Sequence, residues 1–450
     1  MGAAARSLCV VLAMILLGVL LAAGPARAAA QDPTPAPPIA TSPLQYPYEF
    51  GSSSVPMLRN AQFFSAAGAV TDRAIGTVLD QVTNHLFEKR GRNGVLSRIA
   101  RLYFVDMPVA SLAQVYNHEY GHITRDANSV GHSIRIEGWP WPVPFARPRL
   151  HVEWRPFDAL VYLAGVAGGS EASHVLADAL IDRAYAADRA SYFDIVLYVY
   201  GKLDPSAYAI AYSGPSRPNT DPWAYASTLA FVRRRPFTPW PEDAGNLFGS
   251  VRTGAWLNLL DYALVGNLEA TIADYIVAGR AVVRPRWLNA GRVRVVPGFN
   301  YTPTPRGQQY RVNCRIGMRA TSGNFYVRWT QSLKAEGTDE RARQTEELFA
   351  QRFHRVTHVA VPSVAPLLGL GGQWRWATYR ALAPSITADA WRDTDKHFAG
   401  RAELAVTYRQ PWLGEARALR FAVGGKSAGY LPGFPDRRGV YVIGSLLAAF

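Results

Sequence analysis

The sequence predicts an α+β protein, in which a mainly α-helical domain is followed by an antiparallel β-barrel of about eight strands. Apolar residues recur at helical spacing over residues 57–285, which indicates the helical domain. Over residues 286–450 they alternate instead, as Phe325, Val327 and Trp329 do. The chain has 450 residues, of which 49% are hydrophobic and 18% charged, so it is long enough to bury two cores.

The first 28 residues have the layout of a secretory signal peptide. One positive charge, Arg6, precedes the apolar run Leu8–Ala23, and small residues follow up to Ala28. A membrane anchor is disfavoured because the run is shorter than the ~20 residues that a spanning helix needs. Residues 29–56 are rich in Pro, Ser and Thr and are predicted to be a linker. After processing only Cys314 remains, which excludes an intramolecular disulfide.

The basic charge does not indicate a nucleic-acid partner. The net charge is +14, but 43 of the 48 basic residues are arginine, and the chain has no Lys/Arg run or motif of the kind that a nucleic-acid-binding signature requires. Residues 291–450 carry 23 Lys and Arg against 11 Asp and Glu. Most of the excess charge therefore belongs to the polar face of the predicted strands.

The C-terminal strand indicates what the β region contacts. Gly439–Phe450 is uncharged, alternates in polarity and ends on an aromatic residue. This segment resembles the closing strand of bacterial outer-membrane β-barrels, a resemblance that implies lipid on the apolar face and the arginine-rich face inside. A soluble β domain with the opposite orientation is the alternative, because alternation alone does not say which face is buried.

One motif carries chemistry. Residues 115–126 are predicted to be helical, and on a helix His118 and His122 lie on one face, four residues apart, with Glu119 beside them. This H-E-x-x-H arrangement resembles that of the zincin metallopeptidases. The resemblance implies Zn²⁺ on the two histidines and peptide hydrolysis with Glu119 as the general base.

A catalytic zinc site needs a third protein ligand. The resemblance to gluzincins, which take a glutamate from a later helix, implies Glu171 as that ligand, while His174 and His132 are alternatives. Asp126, one turn after His122, could orient that ring or could be an ordinary charge near the helix end.

Substrate contacts are less clearly marked in the sequence. Position alone suggests His151 or Arg155 as donors to the oxyanion that forms during hydrolysis. The stretch Trp139–Arg155 contains prolines that forbid a helix, and it is predicted to be an extended edge that pairs with a peptide substrate.

Two functions follow from these observations. The first is a zinc metallopeptidase of the cell envelope, exported to the bacterial outer membrane or periplasm, with a peptide or protein substrate and outer-membrane lipid as partners. The second is a non-enzymatic outer-membrane protein whose helices form a periplasmic domain or a plug. The two differ at Glu119, which only the enzyme needs.

Overall fold

A computed structural model of the chain describes most of the protein from Tyr48 onward. The described residues are 48–53, 55–87, 93–125, 129–136, 148–154, 159–233, 240–280, 282–290, 293–305, 307–318, 321–332, 367–376, 382–392, 398–408, 417–427, 431–434 and 438–448. The predicted signal peptide, residues 1–28, lies outside them, as does most of the predicted linker.

The helical half of the predicted α+β fold is present. Its α-helices are α1 (Pro56–Phe87), α2 (Asn93–Arg101), α3 (Met107–Arg125), α4 (Ala159–Ala187), α5 (Tyr192–Ala207), α6 (Asp221–Arg233), α7 (Trp240–Leu257) and α8 (Tyr262–Ala270). Three π-helical turns extend them, at Leu102–Asp106, Tyr208–Tyr212 and Thr271–Val277. Within the described part of the chain, no helix combines the length and apolar character needed to cross a membrane.

The strands lie mainly in the C-terminal half. They are β1 (Tyr48–Ser53), β2 (Ser129–Ile136), β3 (Pro148–Trp154), β4 (Ala190–Ser191), β5 (Val282–Val283), β6 (Leu288–Ala290), β7 (Val293–Thr304), β8 (Gly307–Met318), β9 (Thr321–Ser332), β10 (Leu367–Trp376), β11 (Leu382–Arg392), β12 (Phe398–Tyr408), β13 (Arg417–Lys426) and β14 (Gly439–Ala448). β2 and β3 form a separate two-stranded antiparallel sheet, and so do β4 and β5.

The main sheet is antiparallel and open, so the prediction of a closed barrel is wrong for the described residues. Its ten strands follow the order β1-β14-β13-β12-β11-β10-β9-β8-β7-β6, and no pairing joins β1 to β6. These edge strands have six and three residues, while their inner neighbours have ten to twelve. Such short edges cannot form the full ladder that closure requires.

Strand β1 also changes the predicted domain boundary. It lies within residues 29–56, where the proline content predicted a linker, yet it pairs with the last strand from Tyr48↔Ala448 to Ser53↔Ile443. The two ends of the described chain therefore meet in one sheet.

Helices complete the sheet where β6 stops. The side-chain amide of Asn258 acts like a strand neighbour of β7, because its Nδ2 donates to Tyr301 O at 3.0 Å and its Oδ1 accepts from Tyr301 N at 2.6 Å. Further along, the hydroxyl of Tyr225 donates to Thr304 O at 3.0 Å. Helical side chains thus satisfy edge groups that would otherwise lack partners.

The two faces of the sheet differ in polarity. The face that packs against α4, here called the inner face, buries polar side chains, among them Arg315, Arg328, Thr387 and Glu403. The opposite outer face exposes large apolar side chains on successive strands: Val312, Phe325, Val327, Trp329, Leu368, Leu370, Trp376, Leu382, Ile386, Phe398, Leu404, Phe421, Val423, Val440, Val442 and Leu446. Of the two orientations left open by the sequence, the structure has the polar face inside.

Helix α4 connects the sheet to the rest of the helices. Towards its C-terminal end, Asp178 binds Arg311 at 2.6 Å and Asp182 binds Arg315 at 2.6 Å. Asp178 and Asp182 are four residues apart and so lie on one face of the helix. This face docks α4 along the polar inner face of β8.

Two apolar cores hold the helices. The larger one includes Leu180, Phe193 and Leu197, while the second contains Leu229 and Phe248 from α6 and α7. Helix α4 contributes to both cores and therefore fixes α3, α5 and α6 relative to one another. The side chains that these helices carry towards α4 form the candidate site.

Candidate metal centre

Helix α3, which carries the H-E-x-x-H motif, packs so closely against α4 that the backbones of the two helices are in contact. A Cβ atom added to Gly121 would overlap the carbonyl of Gly168, and one added to Gly168 would overlap the carbonyl of Gly121. One residue on, a Cβ at Gly169 would overlap both motif imidazoles, those of His118 and His122. Glycine at these three positions is what allows the helices to approach so closely.

Both motif histidines are buried and held through their Nδ1 atoms. Nδ1 of His118 lies 2.7 Å from Oδ2 of Asp204, and Nδ1 of His122 lies 2.7 Å from the carbonyl oxygen of Gly165. A carboxylate or carbonyl at one ring nitrogen places the proton there and leaves the other nitrogen as a lone-pair donor. With the proton on Nδ1, both Nε2 atoms can act as ligands, which is the arrangement common to metal-binding histidines.

Asp221, the first residue of α6, faces both Nε2 atoms. Its Oδ2 lies 3.0 Å from Nε2 of His118 and 3.2 Å from Nε2 of His122. Ligand atoms in a tetrahedral zinc site, with bonds of ~2.0–2.1 Å, lie about 3.3 Å apart. The carboxylate of Asp221 lies at nearly this spacing from both imidazole nitrogens, and Glu119 offers a ligand atom within 4.8 Å of those of the two histidines. Sequence reasoning missed Asp221, which no motif or spacing marks.

The structure places Glu171 elsewhere. Its carboxylate is fully buried and forms a two-pronged ion pair with Arg125, with Nε to Oε2 at 2.9 Å. The backbone N–H of Gly433 donates to the same carboxylate at 2.6 Å. Glu171 thus joins the end of α3 to the turn between β13 and β14, and Asp221 occupies the position expected for Glu171. Position on the next long helix does not fix the direction of a side chain, and the carboxylate of Glu171 is directed to Arg125 and not to the motif.

Of the alternative ligands, His174 is directed away from the motif. Nδ1 of His174 lies 2.5 Å from Oγ1 of Thr302 in β7, and burial lowers the pKa of His174 to about 3. His132 and His151 lie on paired strands, β2 and β3, whose backbone alone is described. Asp126 and Arg155 lie outside the described residues.

The electrostatics of the site favour a cation at its centre. Burial lowers the pKa of His118 and of His122, but the charges of Asp204 and Asp221 outweigh it, so both pKa values are raised. Burial raises the pKa of Asp221, and the two histidines more than reverse this, so its pKa is lowered. Burial raises the pKa of Glu119, although the histidines oppose it. Glu119 is therefore a stronger base than an exposed glutamate.

A tyrosine that the sequence did not single out adjoins the histidines. Tyr208 follows Asp204 by four residues and so lies on the same side of the α5 axis, with its ring centroid 6.4 Å from that of His118. Burial, reinforced by the charges of Asp221 and Glu119, holds the pKa of Tyr208 above its usual range. Its phenol is therefore a protonated hydrogen-bond donor beside the histidines, whereas the predicted donors His151 and Arg155 have no described side chain.

The fold and the site define an α+β protein with a candidate metal centre of two histidines and an aspartate, beside a buried glutamate. Comparison with known proteins adds no relative: no family model matches the chain, and neither a curated protein nor a solved structure matches it significantly.

Proposed function

We propose that the protein is a zinc metallopeptidase of the cell envelope. The observation that carries the proposal is the convergence of His118, His122 and Asp221 next to the buried Glu119. Two nitrogen ligands and one carboxylate leave a fourth position open, which is the composition of catalytic zinc sites.

The chain supplies the groups that such a reaction needs. Bound zinc would supply a water of lowered pKa and a polarised substrate carbonyl. Glu119 accepts the proton of the attacking water and delivers it to the leaving amine, a task suited to its raised pKa. Tyr208 donates a hydrogen bond to the oxygen that gains negative charge. Asp204 and Gly165 keep the imidazoles in the required tautomer.

The third ligand is tested by a matched pair of isosteric variants. Asp221→Asn should lose bound zinc, measured by elemental analysis of the purified mature chain, because a neutral amide is a poor zinc ligand. Glu171→Gln should retain zinc near one ion per chain, because its parent carboxylate binds Arg125 rather than the histidines. Loss of zinc in Glu171→Gln but not in Asp221→Asn would reverse the assignment.

The reaction is tested separately from metal binding. Glu119→Gln should keep its zinc and lose hydrolysis of a quenched fluorescent peptide mixture by about 10²–10⁴-fold, the usual contribution of a general base. Asp204→Asn should weaken zinc binding by ~10–100-fold, as loss of an orienting carboxylate does. A parent that holds zinc but cleaves no peptide would contradict the peptidase and leave the metal site standing.

A non-enzymatic envelope protein is the second candidate. The observation that favours it is the docking of α4 on the inner face of the sheet through Asp178 and Asp182, an arrangement expected of a helical plug. In that protein Glu119→Gln would alter nothing measurable, so the same variant separates the two functions.

We also propose that the outer face of the sheet contacts membrane lipid, after export by the predicted signal peptide, residues 1–28. The described long strands have ten to twelve residues, close to the ~9–11 that cross a bilayer when tilted. Apolar side chains are exposed on the strands from β8 to β14, and a contiguous apolar surface of this kind marks a contact with a membrane or with another protein. Trp329 and Trp376 are exposed near opposite ends of the strands, as in the aromatic girdles of outer-membrane proteins.

Fluorescence quenching by brominated phosphatidylcholine tests the lipid contact. Vesicles that carry the protein should lose the emission contributed by Trp329 and Trp376, identified by Trp→Phe difference spectra. Trp391 is 3% exposed and serves as the matched control that should not be quenched. Equal quenching of all three, or of none, would exclude the proposed orientation.

A further inference from the structure

We propose that the space between the sheet and helices α1 and α4 binds a small multivalent anion that carries phosphate or carboxylate groups. The cavity holds about 390 Å³, within the ~300–1,000 Å³ typical of small-molecule sites. The candidate ligands His118, His122 and Asp221 are not among the residues that line it, so it is a second site.

Arginines from five strands converge on this cavity. Each strand contributes one, and they are Arg311 of β8, Arg328 of β9, Arg375 of β10, Arg401 of β12 and Arg420 of β13. Helix α4 adds a sixth, and the three lining carboxylates are Asp178, Asp182 and Glu403. The arginines share the inner face, so they present guanidinium groups to one space.

The strand register places like charges opposite each other. Arg311 is the direct cross-strand neighbour of Arg328, and Arg401 is that of Lys426. Like charges in directly opposite positions destabilise an antiparallel pair. The ion pairs of Arg311 with Asp178 and of Arg401 with Asp389 offset part of this cost, and the concentration of positive charge on one face is consistent with a role in binding a negative charge.

The lining of the cavity is itself basic. Its described residues include six arginines and three carboxylates. Outside this lining, Asp194 binds Arg183 and Asp389 binds Arg401, while the lining residue Asp182 binds Arg315. A ligand that contacts several guanidinium groups around one space carries more than one negative charge.

The low solvent exposure of the cavity arginines strengthens the binding of an anion. Arg328 is 4% exposed, and the side chains of Arg401 and Arg420 are 13% and 16% exposed. Charges in this partly desolvated setting interact more strongly than charges in bulk water. The planar guanidinium also binds phosphate and carboxylate oxygens in pairs, which favours these two groups over halide ions.

Calorimetric titration with inorganic pyrophosphate tests the proposal. The full mature chain in detergent should bind pyrophosphate at a single site, and potassium chloride of equal ionic strength should give no binding heat. Arg375→Gln should weaken binding by about ten-fold or more, the effect of one charge-assisted hydrogen bond. Arg73→Gln, on the exposed side of α1, is the matched control and should bind like the parent.

Two further measurements keep the outcome clear. Arg420→Gln replaces Arg375→Gln where near-ultraviolet circular dichroism shows that the latter has not folded. Displacement of pyrophosphate by phosphatidylglycerol vesicles, but not by phosphatidylcholine vesicles, would assign the anion to a lipid headgroup, and no displacement would assign it to a free anion. A parent that binds pyrophosphate no better than chloride, or lining variants that bind like Arg73→Gln, would overturn the proposal. Zinc content is measured in each sample, so this result does not depend on the metal centre.

Discussion

The two halves of helix α4 are held in the fold by different forces. Its N-terminal half contacts α3 through glycines, with Gly168 against Gly121 and Gly169 against the motif imidazoles. Its C-terminal half is held to the sheet by ion pairs of Asp178 and Asp182 with arginines of β8. Steric contact between backbones leaves no room for adjustment, whereas ion pairs beside a cavity can rearrange. The candidate metal centre lies at the first kind of contact and the proposed anion site at the second.

The largest effect is expected from a methyl group in the glycine contact. Gly121→Ala should lower the free energy of unfolding by about 3 kcal/mol or separate α3 from α4, because the new Cβ meets the carbonyl of Gly168. Zinc binding should fall with it. The measurements are chemical denaturation and zinc content.

The matched control for this variant lies on α7. Gly249→Ala adds a Cβ that meets nothing within 4 Å, so it should raise stability by ~0.5–1 kcal/mol through helix propensity. A Gly121→Ala variant as stable as the parent would show that the two helices do not touch as described.

The sequence could predict the local features of this protein but not the contacts between distant segments. Local patterns identified the helices, the alternating strands and the motif on α3, because helical spacing and alternation are properties of a few neighbouring residues. Closure of the sheet was mispredicted, because the amide of Asn258 takes the place of a strand neighbour on β7 and no sequence pattern marks such a substitution.

The candidate site also contains residues that the sequence could predict and one that it could not. His118, Glu119 and His122 are four residues apart at most and could be read directly. Asp221 lies 99 residues beyond His122, and only the packing of α6 near α4 brings its carboxylate to the imidazoles. Glu171 is nearer in sequence, but its carboxylate forms an ion pair with Arg125.

An effect that is smaller for each pH unit is expected from His174, at the boundary between the two halves of α4. His174 has a folded pKa of about 3 against an ordinary value of 6.5, chiefly because it is buried, with Lys202 adding to the effect. The neutral ring therefore contributes its full stability above about pH 6.5, and this is lost as the pH falls towards 3. The expected slope is about 1.4 kcal/mol per pH unit within that window.

Denaturation at several pH values checks this prediction, with His174→Gln as the comparison. Glutamine does not titrate and can still bond to Thr302, so the difference in stability between parent and variant should shrink as the pH falls below 6.5. A difference that stays constant across the window would mean that His174 is protonated in the folded protein.

The smallest effect is expected from the ion pairs that hold the C-terminal half of α4 to the sheet. Asp178→Asn removes one partner of Arg311, but the side chain of Asp178 is 28% exposed and that of Arg311 18%, so water compensates part of the loss. We expect a cost of about 1 kcal/mol that falls with added salt, because partly exposed ion pairs are screened. Zinc content should stay at the parent level, since the glycine contact and not the ion pairs positions the metal centre. Loss of zinc in Asp178→Asn would show instead that the sheet and the metal centre are coupled along the whole length of α4.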